Sequence, residues 1–184
     1  GTAMAAPTVL DFEDITAPLA PAAITGWYAP RGVIFEQAYR ETDPAASPGT
    51  HVLRLRLPGG EDFTPKPLVM IFSSPQARVK LIAGSQFDSL NGTLTAFDSD
   101  SGGNVVHADG PRLVPQNTFI TAFQVAVPTP SIRRVEFQLE GTVFVSIDDL
   151  EFEGEPPAPV STTPPVVQIL SPASGVDRDL NQID

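Results

Sequence analysis

Residues 143–154 read VFVSIDDLEFEG, and the phase of that run decides the fold. Val143, Val145 and Ile147 share one face at period two, whereas Leu150 and Phe152, beyond the acids, fall on the opposite parity. In a strand with one buried face, such a slip turns the second apolar set outward unless an extra residue is absorbed in a bulge. The sequence therefore predicts a β-strand bulged at Asp148-Asp149. A bulge re-aims its neighbours, and two adjacent carboxylates there either face water or share a cation.

Working outward, the rest of the chain has the same character. Twenty prolines and fourteen glycines divide it into short pieces rich in Val, Ile, Leu, Phe and Thr, with almost no helical periodicity. The predicted strands are TVLDFED, GVIFEQAY, HVLRLRL, LVMIFSS, ARVKLIAG, GTLTAFDS, NVVHAD, TFITAFQVAV, IRRVEFQLE and VFVSIDDLEFEG. In HVLRLRL, Leu53, Leu55 and Leu57 point one way and Val52, Arg54 and Arg56 the other, as in a strand with one wet face. In TFITAFQVAV, Phe119, Phe123, Val125 and Val127 alternate likewise. Many short half-buried strands without a βαβ rhythm predict an all-β, antiparallel sandwich of about ten short strands.

The opening GTAMA (1–5) reads as a cloning scar, so a native signal peptide could lie outside the sequence. Residues 6–153 form the expected sandwich, and the Pro-rich run 154–165, GEPPAPVSTTPP, reads as a semi-rigid linker. Residues 166–184 open like one strand and a turn, either the start of a following domain or a tail that docks on the sandwich.

A net charge of −11, with 11 scattered Lys and Arg, argues against nucleic acid and against anionic membrane surfaces. No apolar run is long enough to insert in a membrane. Without cysteine there is no disulfide framework, thiol nucleophile or thiolate metal site. The two histidines, His51 and His107, have no patterned partner, and neither G-x-S-x-G nor H-E-x-x-H occurs, so the chain is expected not to be an enzyme.

Two acidic sites stand out. In TVLDFED, Leu10 and Phe12 share one face and Asp11 and Glu13 the other. If the first and last strands are neighbours, Asp11, Glu13, Asp148 and Asp149 converge and could hold calcium, which takes six to eight oxygen ligands; the plainer reading is that they are solvated strand-end acids. The run DSDSGGN, Asp98–Asn104, resembles the start of a calcium loop but lacks the closing glutamate, and a glycine-rich hairpin turn explains it more simply.

For a sugar ligand, exposed aromatic faces would stack on pyranose rings and polar groups would read hydroxyls. The candidates are Trp27 and Tyr28 in TGWYAPRG, Arg31 beside them, Tyr39 at the end of the next strand, and Phe63 on a predicted loop. Adjacent strand residues face opposite ways, so one of Trp27 and Tyr28 is expected in the core and the other exposed. Core packing or loop anchoring is the competing explanation for either ring.

Taken in order, VLDFED, GVIF, LVMIFSSPQARVKLIAG, GTLTAFDSDSGGNVV and VFVSIDDLEFEG resemble the galactose-binding-like jelly-roll domains, similar to carbohydrate-binding modules, of bacterial exported multi-domain proteins. The resemblance spans roughly residues 8–154. PPVVQILSP resembles the first strand of an immunoglobulin-like module. The resemblance implies a jelly roll, a secreted or cell-surface setting with neighbouring domains in the parent chain, a glycan or polysaccharide partner, and a structural calcium held by acids near the first and last strands. The function expected is a non-catalytic carbohydrate-binding or lectin-like module; the alternative is a structural or adhesive spacer with no small ligand.

Overall fold

The computed structural model describes residues 6–14, 23–46, 51–55, 65–86, 88–142 and 144–154. Among these, ten strands follow one another: β1 (Thr8–Leu10), β2 (Val33–Glu36), β3 (Ala38–Thr42), β4 (His51–Leu55), β5 (Leu68–Ser85), β6 (Leu90–Phe97), β7 (Val105–Val114), β8 (Thr118–Ala126), β9 (Ile132–Leu139) and β10 (Ser146–Gly154). Every pairing between them is antiparallel. The expected linker and tail, apart from Gly154 at the end of β10, lie outside the described residues, as do the opening 1–5, Val143, Arg56 and Leu57. No helix among the described residues is long and apolar enough to cross a membrane.

The strands form two layers because β5 belongs to both. Its first part pairs with β2 and β9 through Leu68–Phe72, and its second pairs with β10 and β8 through Gln76–Ser85. One sheet therefore runs β2-β5-β9-β6-β7, the other β3-β4-β10-β5-β8, with β1 beside β10 on the β4 side. The sequence predicts two strands here, LVMIFSS and ARVKLIAG, separated at Pro75-Gln76. The chain instead bends there and changes sheets, which moves the buried set from Leu68, Met70 and Phe72 to Val79, Leu81 and Ala83. Conversely, GVIFEQAY reads as one strand but divides at Gln37, whose positive φ of 51° sends β2 to one sheet and β3 to the other. The first and last strands are neighbours, as in a jelly roll.

The bulge read from the parity slip is present. Asp148 lies opposite Ile82 and Glu151 opposite Lys80, so Asp149-Leu150 stand against the single residue Leu81. The extra residue lets Val145, Ile147, Leu150 and Phe152 all stay inside. The core between the sheets includes an edge-to-face trio, Phe12, Tyr28 and Phe35, with ring centroids 5.9–6.0 Å apart, and the pairs Phe72–Phe152 and Phe123–Phe137. Burying a side chain of this size contributes roughly 1.5–3 kcal/mol.

Two strands depart from the expected alternation, both on the outer face of the β3-β4-β10-β5-β8 sheet. Phe119 does not share a face with Phe123: Ala83 pairs Thr121 but Gly84 pairs Phe119, so Ile120 is an inserted residue and parity inverts. Phe119 packs outside, with Val52, Ala46, Ala45 and Ile82, over Gly84. Nor does β4 have a wet face. Val52 lies under that small cluster, and Arg54 is buried by Glu41, Asp43 and Ser146, which its guanidinium engages together.

Candidate functional site

The end of β1 and the bulge of β10 bring acids of the two terminal strands to one corner. Phe12, with a positive φ of 57°, turns its ring into the core and kinks the chain, so β1 stops at Leu10. Asp11 stays exposed and accepts the Glu13 amide at 3.2 Å. Glu13 is half-buried and committed to His51: one carboxylate oxygen accepts the His51 backbone N–H and the other meets its Nδ1, each at 2.7 Å. Asp149 also has a positive φ, 45°. Partial burial raises its carboxyl above the ordinary value; Asp11 and Glu13 raise it further, while Lys80 opposes them. Of the four predicted ligand residues, Asp149 thus feels the charges of Asp11 and Glu13.

Asp148 is placed differently. It keeps the register opposite Ile82, is fully buried, and accepts the Asp149 N–H through Oδ1 at 2.9 Å. Among the described residues, no group of three or more His, Asp or Glu side chains stands at metal-holding distances. The corner is a cluster of acids, part of whose carboxylate oxygens are already occupied by His51 and backbone amides.

The second acidic run, Asp98–Asn104, is a closed turn. Asp98 accepts the Asn104 backbone and side-chain amides at 2.7 and 3.1 Å, and these bonds lower its carboxyl. Gly102 and Gly103 supply the left-handed conformations that the turn requires, and Arg134, stacked on Phe97, donates to the Gly102 carbonyl.

The aromatic candidates separate. Tyr28 is a core residue, held between Phe12 and Phe35, and is therefore corrected from platform to anchor: its ring offers no face to a ligand. Its neighbour Trp27 is 43% exposed on a turn whose backbone is pinned by the bond from Trp27 N–H to the Ile24 carbonyl. Arg31 ends a 3-10 turn, Ala29–Arg31, and reaches back to donate to the Val9 carbonyl at 2.5 Å, tying this turn to β1. Tyr39 is half-buried on β3, opposite Arg54. Phe63 lies outside the described residues.

One surface was not singled out from the sequence. On the outer face of the β2-β5-β9-β6-β7 sheet, register aligns Ile34, Ile71, Arg134, Phe97 and Val105 in a single row across all five strands. Ile34 and Val105 at its ends are exposed, and the Arg134 guanidinium lies 4.2 Å over the Phe97 ring. Each residue has the right parity in its own strand; only the register reveals the row.

No family model matches the chain, and no curated protein matches it. Among solved structures it is similar to the K2 cleaved adhesin domain of Lys-gingipain, with 14% identity over 80% of this chain and 99% of that one and a TM-score of 0.48. It is similar to the K1 cleaved adhesin domain of Lys-gingipain from Porphyromonas gingivalis, with 13% identity over 82% and 99% and a TM-score of 0.47. A third is the N-terminal endo-1,4-β-D-xylanase 10B of Clostridium thermocellum, its CBM22-1-GH10 modules complexed with xylohexaose, at 10% identity over 71% of this chain and 27% of that one, TM-score 0.43. At these identities the likeness extends to no ligand or activity.

Proposed function

We propose that this chain is a non-catalytic carbohydrate-binding module of a secreted or cell-surface multi-domain protein, with Trp27 as its stacking platform. The observation that carries the reading is the exposure of Trp27 on a braced turn. Leaving a ring of this size in water forgoes its burial energy, and the turn around it is held by Tyr28 in the core and by Arg31 on β1. A turn braced before the ligand arrives leaves less backbone to order on binding. Tyr39 is half-buried on a neighbouring element and offers a phenol hydroxyl.

The acid corner is proposed to hold a structural calcium ion. Burial and, after it, like charges oppose ionisation of Asp149, and a divalent cation would reverse that. Asp11 and Asp149 would supply carboxylate oxygens, Glu13 would join only by giving up His51, and the three would have to draw together, since among the described residues no three acids stand at metal-holding distances. Calcium at a hundredfold excess over its dissociation constant would stabilise the fold by about 2.7 kcal/mol.

The test is a polysaccharide and glycan array probed with the wild-type chain and with Trp27→Ala. Binding to a sugar class that the variant loses, with its melting midpoint unchanged, supports the reading; equal binding by both removes Trp27 as the platform. The row from Ile34 to Val105, four apolar side chains around Arg134, favours a second reading, a structural or adhesive spacer that contacts protein, since exposed apolar surface rimmed by polar groups marks interaction sites. A silent array together with binding that Val105→Ser abolishes would select it.

A further inference from the structure

We propose that Asp109 and Arg112 form a side-chain clasp that closes the free edge of β8 to a second copy of this chain. Among the described residues β8 is paired along one side only, with β5. On its other side lies β7, the edge strand of the opposite sheet. The contacts there run through side chains: Asp109 Oδ2 accepts the Gln124 N–H at 2.8 Å, and Arg112 Nη1 donates to the Ala122 carbonyl at 2.9 Å. Asp109 Oδ1 and Arg112 Nη2 are themselves paired, and the guanidinium lies 5.1 Å over the Phe123 ring.

The geometry imitates a strand. Residues 122 and 124 direct their polar groups to the same edge, and an added antiparallel strand would set a carbonyl against the Gln124 N–H and an N–H against the Ala122 carbonyl. The carboxylate stands in for that carbonyl and the guanidinium for that N–H. Both side chains reach across because β7 is bulged: Gly92 lies opposite Arg112 and Leu94 opposite Asp109, leaving one extra residue on β7.

The occupant excluded is a second β8. Thr118–Ala126 carries no charged residue in a chain of net charge −11, is rich in β-formers and contains no proline, the profile of a strand that pairs with itself. Ile120, 69% exposed, and Leu113, 57% exposed, flank the clasp and would be covered by the newcomer. Their elements are already joined by the bond from Thr121 Oγ1 to the Leu113 carbonyl.

The test is the double substitution Asp109→Ala/Arg112→Ala in the full chain, which leaves net charge unchanged. At concentrations low enough to keep the variant monomeric, hydrogen exchange of the Gln124 amide should accelerate at least tenfold while β9 amides stay protected. Sedimentation should show dimer where the wild type is monomeric, and a labelled peptide of sequence TFITAFQVA should be captured by the variant alone. A variant with wild-type Gln124 exchange and wild-type mass overturns the proposal, as does equal peptide capture by the wild type. If the double variant does not fold, Asp109→Asn, which keeps an acceptor for Gln124 but loses the ion pair, should show intermediate peptide capture; none at all would contradict the clasp.

Discussion

Burial raises the carboxyl of Asp149, on the last strand, above its ordinary range, and the charge of Asp11, on the kink that ends the first, adds to the rise. The pairing of β1 with β10 creates this relationship, and the bulge aims it. Because the folded value is raised, folding stability falls as pH rises from the ordinary aspartate value of 3.8 through the higher folded one.

Asp149→Asn therefore has two expected effects of opposite kind. Asparagine tolerates the left-handed backbone at this position and carries no charge, so in excess chelator at neutral pH the variant should melt above the wild type. In calcium the wild type should rise and the variant should not. A variant that melts below the wild type in chelator contradicts the like-charge account, and a calcium response retained in the variant removes Asp149 from the ion's ligands.

Tyr28 gives a second pH dependence. Burial pushes its phenol up to about 12, and its hydroxyl has no hydrogen-bond partner among the described residues. Stability should decline as pH rises from 10, where an unfolded tyrosine ionises, towards 12, and Tyr28→Phe should abolish that decline while staying within about 1 kcal/mol of the wild type at neutral pH. The phenolate absorbance of Tyr28, read as the difference between the wild type and Tyr28→Phe, should appear near 12. A difference transition at the ordinary value of 10 would place Tyr28 outside the core.

The arginines rank by burial. Arg54→Ala strands Asp43, which is itself buried, and should cost about 3–5 kcal/mol in denaturant unfolding. Arg78 pairs with Glu151 and Glu153 on a more open part of β5, and Arg78→Ala should cost about 1 kcal/mol or less. Equal losses would mean that the Arg54 cluster is as hydrated as the Arg78 pair.

Gly84 is set by Phe119. A Cβ there would lie 2.4 Å from the Phe119 ring, so Gly84→Ala should destabilise by about 1–3 kcal/mol. Removing the ring makes room, so Gly84→Ala combined with Phe119→Ala should lose less than the sum of the two single changes. Strict additivity would separate the two residues.

What could be read in advance follows the range of the interaction. The β10 bulge was legible because the apolar parity breaks on either side of Asp148-Asp149. The β8 bulge was not, because the alternation runs unbroken past Ile120; Phe119 is apolar for the sake of a cluster on the other face. Ser73–Pro75 carries turn residues but serves as a bend between sheets, and Gln37 adopts its positive φ with no glycine to announce it. That one of Trp27 and Tyr28 would be core followed from adjacency, but which one depends on Phe12 and Phe35. Arg31 finds Val9 22 residues away and Arg54 finds Ser146 92 residues away, distances over which a single sequence carries no signal.

The most direct test of the carbohydrate-binding reading uses Trp27 itself, the chain's single tryptophan, whose fluorescence can be followed while polysaccharides are titrated in calcium. A saturable shift with one class of glycan, absent with the others, is the predicted result. A spectrum unmoved by a polysaccharide that the protein nevertheless binds would contradict the account, because the sugar would then lie away from Trp27.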